Sequence, residues 1–473
     1  MRTLHLELRQ GAGIEPIAAR SEKNARQADK ADFLAQWLPR RRVRGIALGT
    51  VLFSVLLWIF LIATSGGART ILGTELGGDF PGFYCAGKIL LHHEGRLYDL
   101  RLQSRLYHEL LPDEPAESQL PYAYPPIVAG VCMELAIMPY AAAYAVWSLA
   151  QIAMYAGGIG LLVGVCRSIP KRDLIMAVLL AISFEPFVIE CVHGGQLSAL
   201  AMLLVCSAIA LDRAGYAVGS GVAIGLLGYK PTLLVVLIPV LLFSRRWRML
   251  AGAGISMTGI ALASWAAVGW HGCMDYARLM ISYLHLTTGQ TMLFRTWKYV
   301  DLKSFLHGCG VGPSNAATLI WAAACLGGVS MISWRWRKRP ECAWPAALAG
   351  TLVLNVYVGI YDTVLIVPAM FLLAEWQAKH RGVSCRGYFR WLIAGMWGLP
   401  WISQSIAHVA GIQLYTLAIA LVGMYAVALA VLNDDLANRV HQGAAPSVQA
   451  GQYERAGRSS GCSNRRAGQG TGG

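Results

Sequence analysis

The chain has 473 residues, of which 56% are hydrophobic and only 14% are charged, and its mean hydropathy is +0.48. A soluble globular domain carries about 25% charged residues, so the composition excludes a disordered chain and argues against a soluble enzyme. The formal net charge is +14, but the basic residues form short clusters at the ends of apolar runs, where cytoplasmic loops of membrane proteins collect them. A nucleic-acid partner is therefore excluded, and an all-α polytopic membrane protein is predicted.

Residues 1–45 are polar and basic, and we interpret them as an N-terminal cytoplasmic arm. The first long apolar run covers 46–65 and follows the basic string 40–44. Positive charge ahead of the run predicts a signal-anchor helix, not a cleaved signal peptide. The eleven cysteines contain no CxxC pair, so neither disulfides nor a zinc site is expected.

Residues 66–125 form a polar stretch that this topology places outside, with five Lys or Arg against eight Asp or Glu. Two short amphipathic helices are predicted in it from apolar positions at helical spacing. The first has an apolar face made of Phe83, Ala86, Gly87, Leu90 and Leu91. The second begins at an N-cap, Asp99, and carries the stripe Leu102, Leu106 and Leu110. Both could lie in the plane of the membrane surface.

The remaining apolar runs predict a transmembrane domain over 46–432 with about 12 spans and a second outer loop at 270–315. The protein is predicted to lie in the plasma (inner) membrane with both termini in the cytoplasm. The runs after the first loop are 127–138, 142–165, 173–190, 197–211, 217–229, 232–243, 249–269, 316–334, 343–358, 363–376, 391–406 and 412–432. Residue 125 is placed outside and the basic turn at Arg245 inside, so the six runs between them must cross the membrane an odd number of times. One of these runs therefore does not cross alone, and we take 127–138 and 142–165 together as one crossing. A single kinked helix over 217–243 is the alternative. Residues 433–473 are rich in Gly, Ser, Arg and Gln and predict a disordered cytoplasmic tail.

The string Gly77-Gly78-Asp79-Phe80-Pro81 lies in the first outer loop. Glycines and a proline favour a turn that can present the Asp79 carboxylate at the membrane surface. A carboxylate there can act as a general base on a hydroxyl nucleophile. From spacing alone, a turn-forming Asp that caps the following helix is the more ordinary interpretation.

Several short strings, in order along the chain, resemble glycosyltransferase family 87. They are Gly78-Asp79-Phe80 with Tyr84, Ala86 and Gly87; Leu97-Tyr98-Asp99; Tyr124-Pro125-Pro126; Pro186 with Gly195-Gln196; Lys230-Pro231 ahead of an apolar run ending in Ser244-Arg245-Arg246; and Tyr361-Asp362. The resemblance covers roughly residues 45 to 376. It implies a GT-C-type helical bundle that transfers a sugar, mostly mannose, from a polyprenyl-phosphate donor. The family's catalytic aspartate in the first outer loop corresponds to Asp79.

The resemblance and the residues together nominate further site residues. Lys230 at membrane depth is expected to be functional, because a buried ammonium there is costly, and it would stabilise the leaving phosphate; a snorkelling lysine is the alternative. His193 and Gln196 could donate to the sugar or phosphate, or merely close a glycine-rich turn. Arg295 and Lys298 could hold the phosphate or be solvated, Asp362 could position the sugar or pair with a cation, and Tyr84 joins the candidate substrate-binding residues. The family often has a histidine where this chain has Tyr357.

The expected reaction is inverting sugar transfer to a glycan or glycolipid acceptor on the outer face, with lipid as the surrounding partner. No Asp-x-Asp pair accompanies Asp79, so we predict chemistry without a metal or other cofactor. A secondary transporter or lipid-linked glycan flippase is the rival from another class and would show an inverted repeat and intramembrane charges on several helices. No convincing repeat is found, and two long polar stretches on one side fit an outward-facing site better. A glycan polymerase or ligase would instead have its large outer loop late in the chain.

Overall fold

The computed structural model describes residues 40–92, 95–113, 121–288, 296–311, 315–338, 343–380 and 386–443. Within these ranges the chain forms helices joined by turns and loops, and it forms no β-sheet. The helices of the first half are α1 (Arg40–Ala63), α2 (Phe80–His92), α3 (Leu100–Leu110), α4 (Pro126–Ala136), α5 (Tyr140–Val165), α6 (Lys171–Ile182), α7 (Ser198–Arg213), α8 (Ala217–Leu226) and α9 (Leu234–Phe243). Those of the second half are α10 (Trp247–Thr288), α11 (Leu302–Gly308), α12 (Asn315–Lys338), α13 (Ala343–Val353), α14 (Ile366–Lys379), α15 (Arg386–Gly398), α16 (Pro400–Ala410) and α17 (Leu414–Gly443).

Five helical segments are long and apolar enough to cross a membrane, which supports a multi-pass helical membrane protein. They are Arg40–Ala63, Tyr140–Val165, Lys171–His193, Trp247–Ser282 and Ile360–Lys379. Several other apolar helices are shorter, such as α4 with 11 residues, and at 1.5 Å per residue such a helix is too short to cross alone. The predicted count of 12 spans is thus not confirmed.

Both predicted amphipathic helices of the first loop are present. In α2 the apolar face is buried, Phe83 and Ala86 included. In α3 the Asp99 side chain accepts hydrogen bonds from the backbone N–H groups of Arg101 and Leu102, as an N-cap does. Leu102 is buried, so this stripe also faces protein.

Three helices extend past the boundaries predicted from the apolar runs. The first helix already begins at Arg40, inside the predicted arm. Helix α10 resumes after a break at Gly269 (φ 68°, ψ −177°) and runs to Thr288, so much of the predicted second loop is helical; Cys273, Tyr276 and Leu279 at helical spacing pack against the core there. Helix α17 extends to Gly443, into the segment predicted as a disordered tail. Residues 1–39 and 444–473 lie outside the described residues.

The segment 217–243 turns back on itself at Lys230-Pro231. Lys230 has non-helical backbone angles (φ −136°, ψ 83°) between two short 3-10 turns. Arg246, just after α9, pairs with Asp212, just before α8. In a single kinked helix these two side chains would lie at opposite ends, so the contact confirms the hairpin.

The bundle has two polar ends, each with its own set of ion pairs and hydrogen bonds. At one end Arg40 pairs with Asp173 (2.9 Å), and Arg246 pairs with Asp212. The other end, called the site end below, gathers the loop 64–79, the turn 193–196, the turn at Lys230 and the segments 297–301 and 357–362. Between the ends lies the hydrophobic core, in which every residue of α13 is buried.

Candidate active site

Asp79 lies where the first loop enters α2. Gly77 and Gly78 have positive φ angles of 89° and 50°, a conformation that only glycine adopts at little cost. The Asp79 backbone N–H donates to the carbonyl of Gly194 (2.9 Å), so the loop is joined to the turn 193–196. Among the described contacts, the Asp79 carboxylate accepts no hydrogen bond from the helix that follows. This geometry disfavours a capping role for the side chain.

Gln196 is the side-chain partner of Asp79, since its Nε2 donates to Asp79 Oδ2. Its other amide atom, Oε1, is buried and has no partner among the described residues. The turn that carries Gln196 follows a π-helical segment, Pro186–His193, in which the Gly194 N–H donates to the Ile189 carbonyl (2.7 Å). Wide turns of this kind occur frequently at functional sites.

Three aromatic side chains on one face of α5 hold the two turns in place. Tyr140 Oη donates to the Leu76 carbonyl (2.6 Å), Tyr144 Oη to that of Val192 (2.8 Å) and Trp147 Nε1 to that of Gly195 (2.9 Å). The ring of Phe80 packs among all three, with centroids 5.4–5.7 Å apart. The backbone on both sides of the carboxylate is therefore fixed by one rigid helix.

Asp79 is exposed to solvent, yet many protein atoms surround its carboxylate. Burial by the surrounding protein raises the pKa of this carboxyl from 3.8 to about 6. The ammonium of Lys298 and, less strongly, that of Lys230 oppose the rise, whereas Glu190 and Glu75 add to it. A carboxylate with a pKa close to the working pH is suited to general-base catalysis.

Lys230 and Asp362 form a buried ion pair. Lys230 Nζ donates to both Asp362 oxygens (2.8 and 2.6 Å), and Ser198 Oγ donates to the same carboxylate (2.7 Å). The two side chains are 12% and 1% exposed. The Lys230 ammonium also lies 4.3 Å from the centre of the Tyr361 ring. The sequence left two roles open for Asp362, positioning of the sugar and pairing with a cation. The geometry shows the pairing with a cation.

The structure does not bring every predicted residue to Asp79. His193 Nε2 is 2.9 Å from Ser54 Oγ of α1. Tyr84 Oη donates to the Met138 carbonyl (2.8 Å) from within the aromatic packing around Phe80. Lys298 is the cation with the strongest electrostatic effect on Asp79. Arg295 lies outside the described residues.

Tyr124, Tyr357 and Tyr361 were named from the sequence only for their match to, or departure from, the family's strings and were not nominated as site residues. Tyr124 and Tyr361 are within electrostatic reach of both Asp79 and Asp362. Tyr357, which replaces the family's histidine, contacts the ring of Tyr299 at 5.9 Å beside them. The i, i+4, i+7 spacing of the aromatic residues on α5 was the available signal for the supporting helix. The tyrosines come from distant parts of the chain and give no such local signal.

The described residues contain no group of three His, Cys, Asp or Glu side chains that could hold a metal ion. Metal-independent chemistry stays a prediction, to be tested directly.

Comparison with known proteins identifies the relatives of the chain. Two mycobacterial proteins are similar to it, each described as a polyprenol-phosphate-mannose-dependent alpha-(1-2)-phosphatidylinositol pentamannoside mannosyltransferase. The protein from Mycobacterium tuberculosis (strain CDC 1551 / Oshkosh) is 25% identical over 73% of this chain and 78% of its own length. The protein from Mycolicibacterium smegmatis (strain ATCC 700084 / mc(2)155) is 26% identical over 67% and 75%. No solved structure matches the chain.

The sequence model of Glycosyltransferase family 87 matches residues 122–368, which is more than half of the chain. These matches support enzymatic sugar transfer and give no support to the transport alternative. The match to the family model begins at residue 122, after Asp79. A role for Asp79 is therefore inferred from its geometry. The chain belongs to glycosyltransferase family 87 and is a membrane glycosyltransferase.

Proposed function

We propose that the protein transfers a monosaccharide, mannose in the first instance, from a polyprenyl-phosphate donor to a glycan or glycolipid acceptor on the outer face of the membrane. The names of the two mycobacterial relatives support a polyprenyl-phosphate donor and a glycolipid acceptor. The surrounding apolar helices offer a place for the donor's lipid tail. The plasma (inner) membrane and cytoplasmic termini belong to the same proposal, because the basic clusters occupy the end of the bundle opposite Asp79.

The observation that carries the proposal is the position of Asp79. Asp79 is exposed to solvent although protein atoms surround it, its carboxylate accepts a hydrogen bond from Gln196, and this carboxylate does not cap α2. Two ammonium groups, those of Lys298 and Lys230, act on it electrostatically. A general base and cations for a leaving phosphate are the groups that this transfer needs.

In the proposed step, Asp79 accepts the proton of the acceptor hydroxyl while the acceptor oxygen forms a bond to the anomeric carbon. The bond between that carbon and the phosphate oxygen breaks, and its electron pair goes to the phosphate. Attack opposite the leaving group inverts the anomeric configuration. The lipid phosphodiester, with one negative charge, becomes a monoester with nearly two, and the proton is held on Asp79.

The other predicted residues receive supporting roles in this proposal. Lys230 has three N–H groups and gives two hydrogen bonds to Asp362, so one donor is available for the sugar or phosphate. Gln196 orients the base through Nε2. His193 supports the same turn from α1 through Ser54. No step in this scheme requires a metal ion, because ammonium groups supply the positive charge.

Purified protein tests the proposal when it is offered polyprenyl-phosphate mannose, polyprenyl-phosphate glucose and nucleotide sugars in parallel, each with and without EDTA. We expect transfer from a lipid-linked donor only, unchanged by EDTA, with the anomeric configuration of the product inverted when read by NMR. Transfer from a nucleotide sugar, loss of activity in EDTA or retention of configuration would each overturn the corresponding part of the scheme.

A further inference from the structure

The proposed step creates negative charge on the leaving phosphate, which requires a cation whose charge is not already balanced. A monoester phosphate carries about −1.5 to −2 at neutral pH. Stabilisation of such charge is most effective when the donors are fixed before the reaction and are free to face it. The two ammonium groups near Asp79 differ in this respect.

The charge of Lys230 is balanced in the resting protein. Its ammonium contacts both oxygens of Asp362, which is almost fully buried, and Ser198 completes the arrangement. An anion that approached Lys230 would also approach the Asp362 carboxylate. Separation of the pair would leave a buried carboxylate without its cation, which is strongly unfavourable.

Lys298 makes no ion pair with any carboxylate among the described residues. Its described contact is with the ring of Trp297, whose centre is 5.4 Å from Nζ. The side chain is partly exposed. An ammonium beside an aromatic face keeps its hydrogen-bond donors for a further partner.

The backbone that carries Lys298 is held firmly at the site end. Gln413 Nε2 donates to the Trp297 carbonyl (2.8 Å), and His408 packs edge-on against the Trp297 ring. On the other side, the Val300 N–H donates to the Val358 carbonyl (2.9 Å), which places Lys298 beside the segment that carries Asp362. A cation that makes no ion pair within the described part of the chain, and that sits on a fixed support, fits an anion-binding role better than that of a solvated loop lysine.

We propose that Lys298 is the principal binding group for the phosphate of the lipid donor and for the polyprenyl phosphate product. This inference rests on the proposed function and assigns the phosphate subsite within it. Lys230 then serves mainly to join the turn at Pro231 to Asp362 and α7, and contributes one hydrogen bond to the donor. Lys298 supplies the positive charge.

The test measures the affinity of the detergent-solubilised protein for farnesyl phosphate and for inorganic phosphate. The variants are Lys298→Gln, Lys298→Arg and Lys230→Gln. Lys303→Gln is the matched control, because Lys303 lies five residues further on, in α11, and its ammonium interacts with Asp301. Loss of a charge-assisted hydrogen bond should weaken farnesyl phosphate binding by about 10- to 100-fold in Lys298→Gln. Lys298→Arg should recover part of the affinity, and Lys303→Gln should bind as the wild type does.

Other results would overturn the inference in distinguishable ways. If the wild type binds farnesyl phosphate and Lys298→Gln binds it equally well, the phosphate subsite is elsewhere and the proposed function stands. If the wild type binds neither farnesyl phosphate nor a lipid-linked sugar, the proposed function itself is wrong. Equal affinity for inorganic phosphate would exclude a lipid-phosphate site. Should Lys298→Gln fail to fold, Lys298→Met, which keeps an unbranched apolar stem against Trp297, decides the same question.

Discussion

At the scale of single residues, the two interpretations of Asp79 predict different contacts. A capping aspartate accepts hydrogen bonds from the first turn of its helix, as Asp99 does for α3. Asp79 instead accepts from Gln196, a residue 117 positions later in the chain. Two aspartates in one loop therefore have separable roles, and they provide a matched pair for mutagenesis.

Asp79→Asn should lower transfer by a factor of about 10² to 10⁴, the usual contribution of a general base. Asp99→Asn makes the same chemical change in the same loop, and Asn is an equally good N-cap, so it should retain near-normal activity. Turnover of both purified variants with saturating donor gives the comparison. Similar activities in the two variants would return Asp79 to the role of a turn-forming residue.

The raised pKa of Asp79, about 6, predicts how activity depends on pH. The base works only when ionised, so the rate should rise with pH through about 6 and then level off. Asp301 also has a pKa of about 6 because of burial, and Asp301→Asn should leave the midpoint of the rate profile unchanged. Rates measured between about pH 4.5 and 8 test this. A midpoint that moves in Asp301→Asn would show that the titrating group is Asp301 and not Asp79.

The same shift predicts the sign of a stability effect. Because the folded-state pKa exceeds the unfolded value of 3.8, Asp79 favours the folded state most at low pH, and this contribution is lost as pH rises through about 6. Above that pH the wild type ionises a group that its surroundings disfavour. Asp79→Asn should therefore melt no lower than the wild type at pH 7.5, in thermal unfolding followed in detergent. A clear loss of stability would indicate a structural role.

At the scale of helices and turns, the position of the Asp79 carboxylate depends on the close contact between the loop 64–79 and the turn 193–196. Gly195 has φ 69°, and a Cβ there would overlap the Gly77 carbonyl. Both the conformation and the available space thus require glycine at this position.

Gly195→Ala should reduce activity at least tenfold, because the added methyl group separates the two turns and moves Asp79 away from Gln196. Gly215→Ala is the control, since Gly215 also has a positive φ (86°) but a Cβ added there would meet no atom within 4 Å. Activity assays and thermal melts of both variants distinguish lost contact from backbone strain alone. Equal effects in the two variants would show that the approach of the turns is unimportant.

The sequence predicted these elements unevenly, for physical reasons. Helices α2 and α3 were predictable because their apolar spacing and the Asp99 cap are local signals. The extension of α10 beyond Gly269 was not, because glycines at 269 and 272 with polar residues such as His271 and Asp275 resemble the start of a loop. The Lys230–Asp362 pair joins positions 132 apart, and nothing in a single sequence indicates which of several cations Asp362 will contact.

At the scale of the whole molecule, the Lys230–Asp362 pair connects the hairpin α8–α9 to the start of α14, with Ser198 of α7 as a third support. Lys230→Gln should lower the stability by about 3–5 kcal/mol, because it leaves a buried carboxylate without its cation. The double variant Lys230→Gln, Asp362→Asn should recover part of the loss. Thermal unfolding in detergent measures each variant.

Arg40→Gln is the matched control for that comparison, because it breaks the pair with Asp173 in which both side chains are exposed (68% and 48%). An exposed ion pair contributes less than about 1 kcal/mol. If Lys230→Gln proves as stable as Arg40→Gln, the pair does not support the fold.

The two ends of the bundle give a test of topology. In a background depleted of cysteine, Leu72→Cys at the site end should react with a membrane-impermeant maleimide applied from outside. Arg213→Cys, near the Arg246–Asp212 pair at the other end, should react only after permeabilisation. The reverse pattern would place Asp79 on the cytoplasmic side and exclude an outer-face acceptor.

The π-helical segment before Gly194 has a consequence for how such a site can arise in evolution. A π-helical turn accommodates one residue more than an α-helical turn, and each residue of an α-helix accounts for about 100° of rotation. Removal of one residue between Pro186 and His193 would therefore restore a regular helix and turn the segment that follows away from the loop of Asp79. The insertion or loss of a single codon thus separates an ordinary membrane helix from one that is followed by an amide in contact with the Asp79 carboxylate.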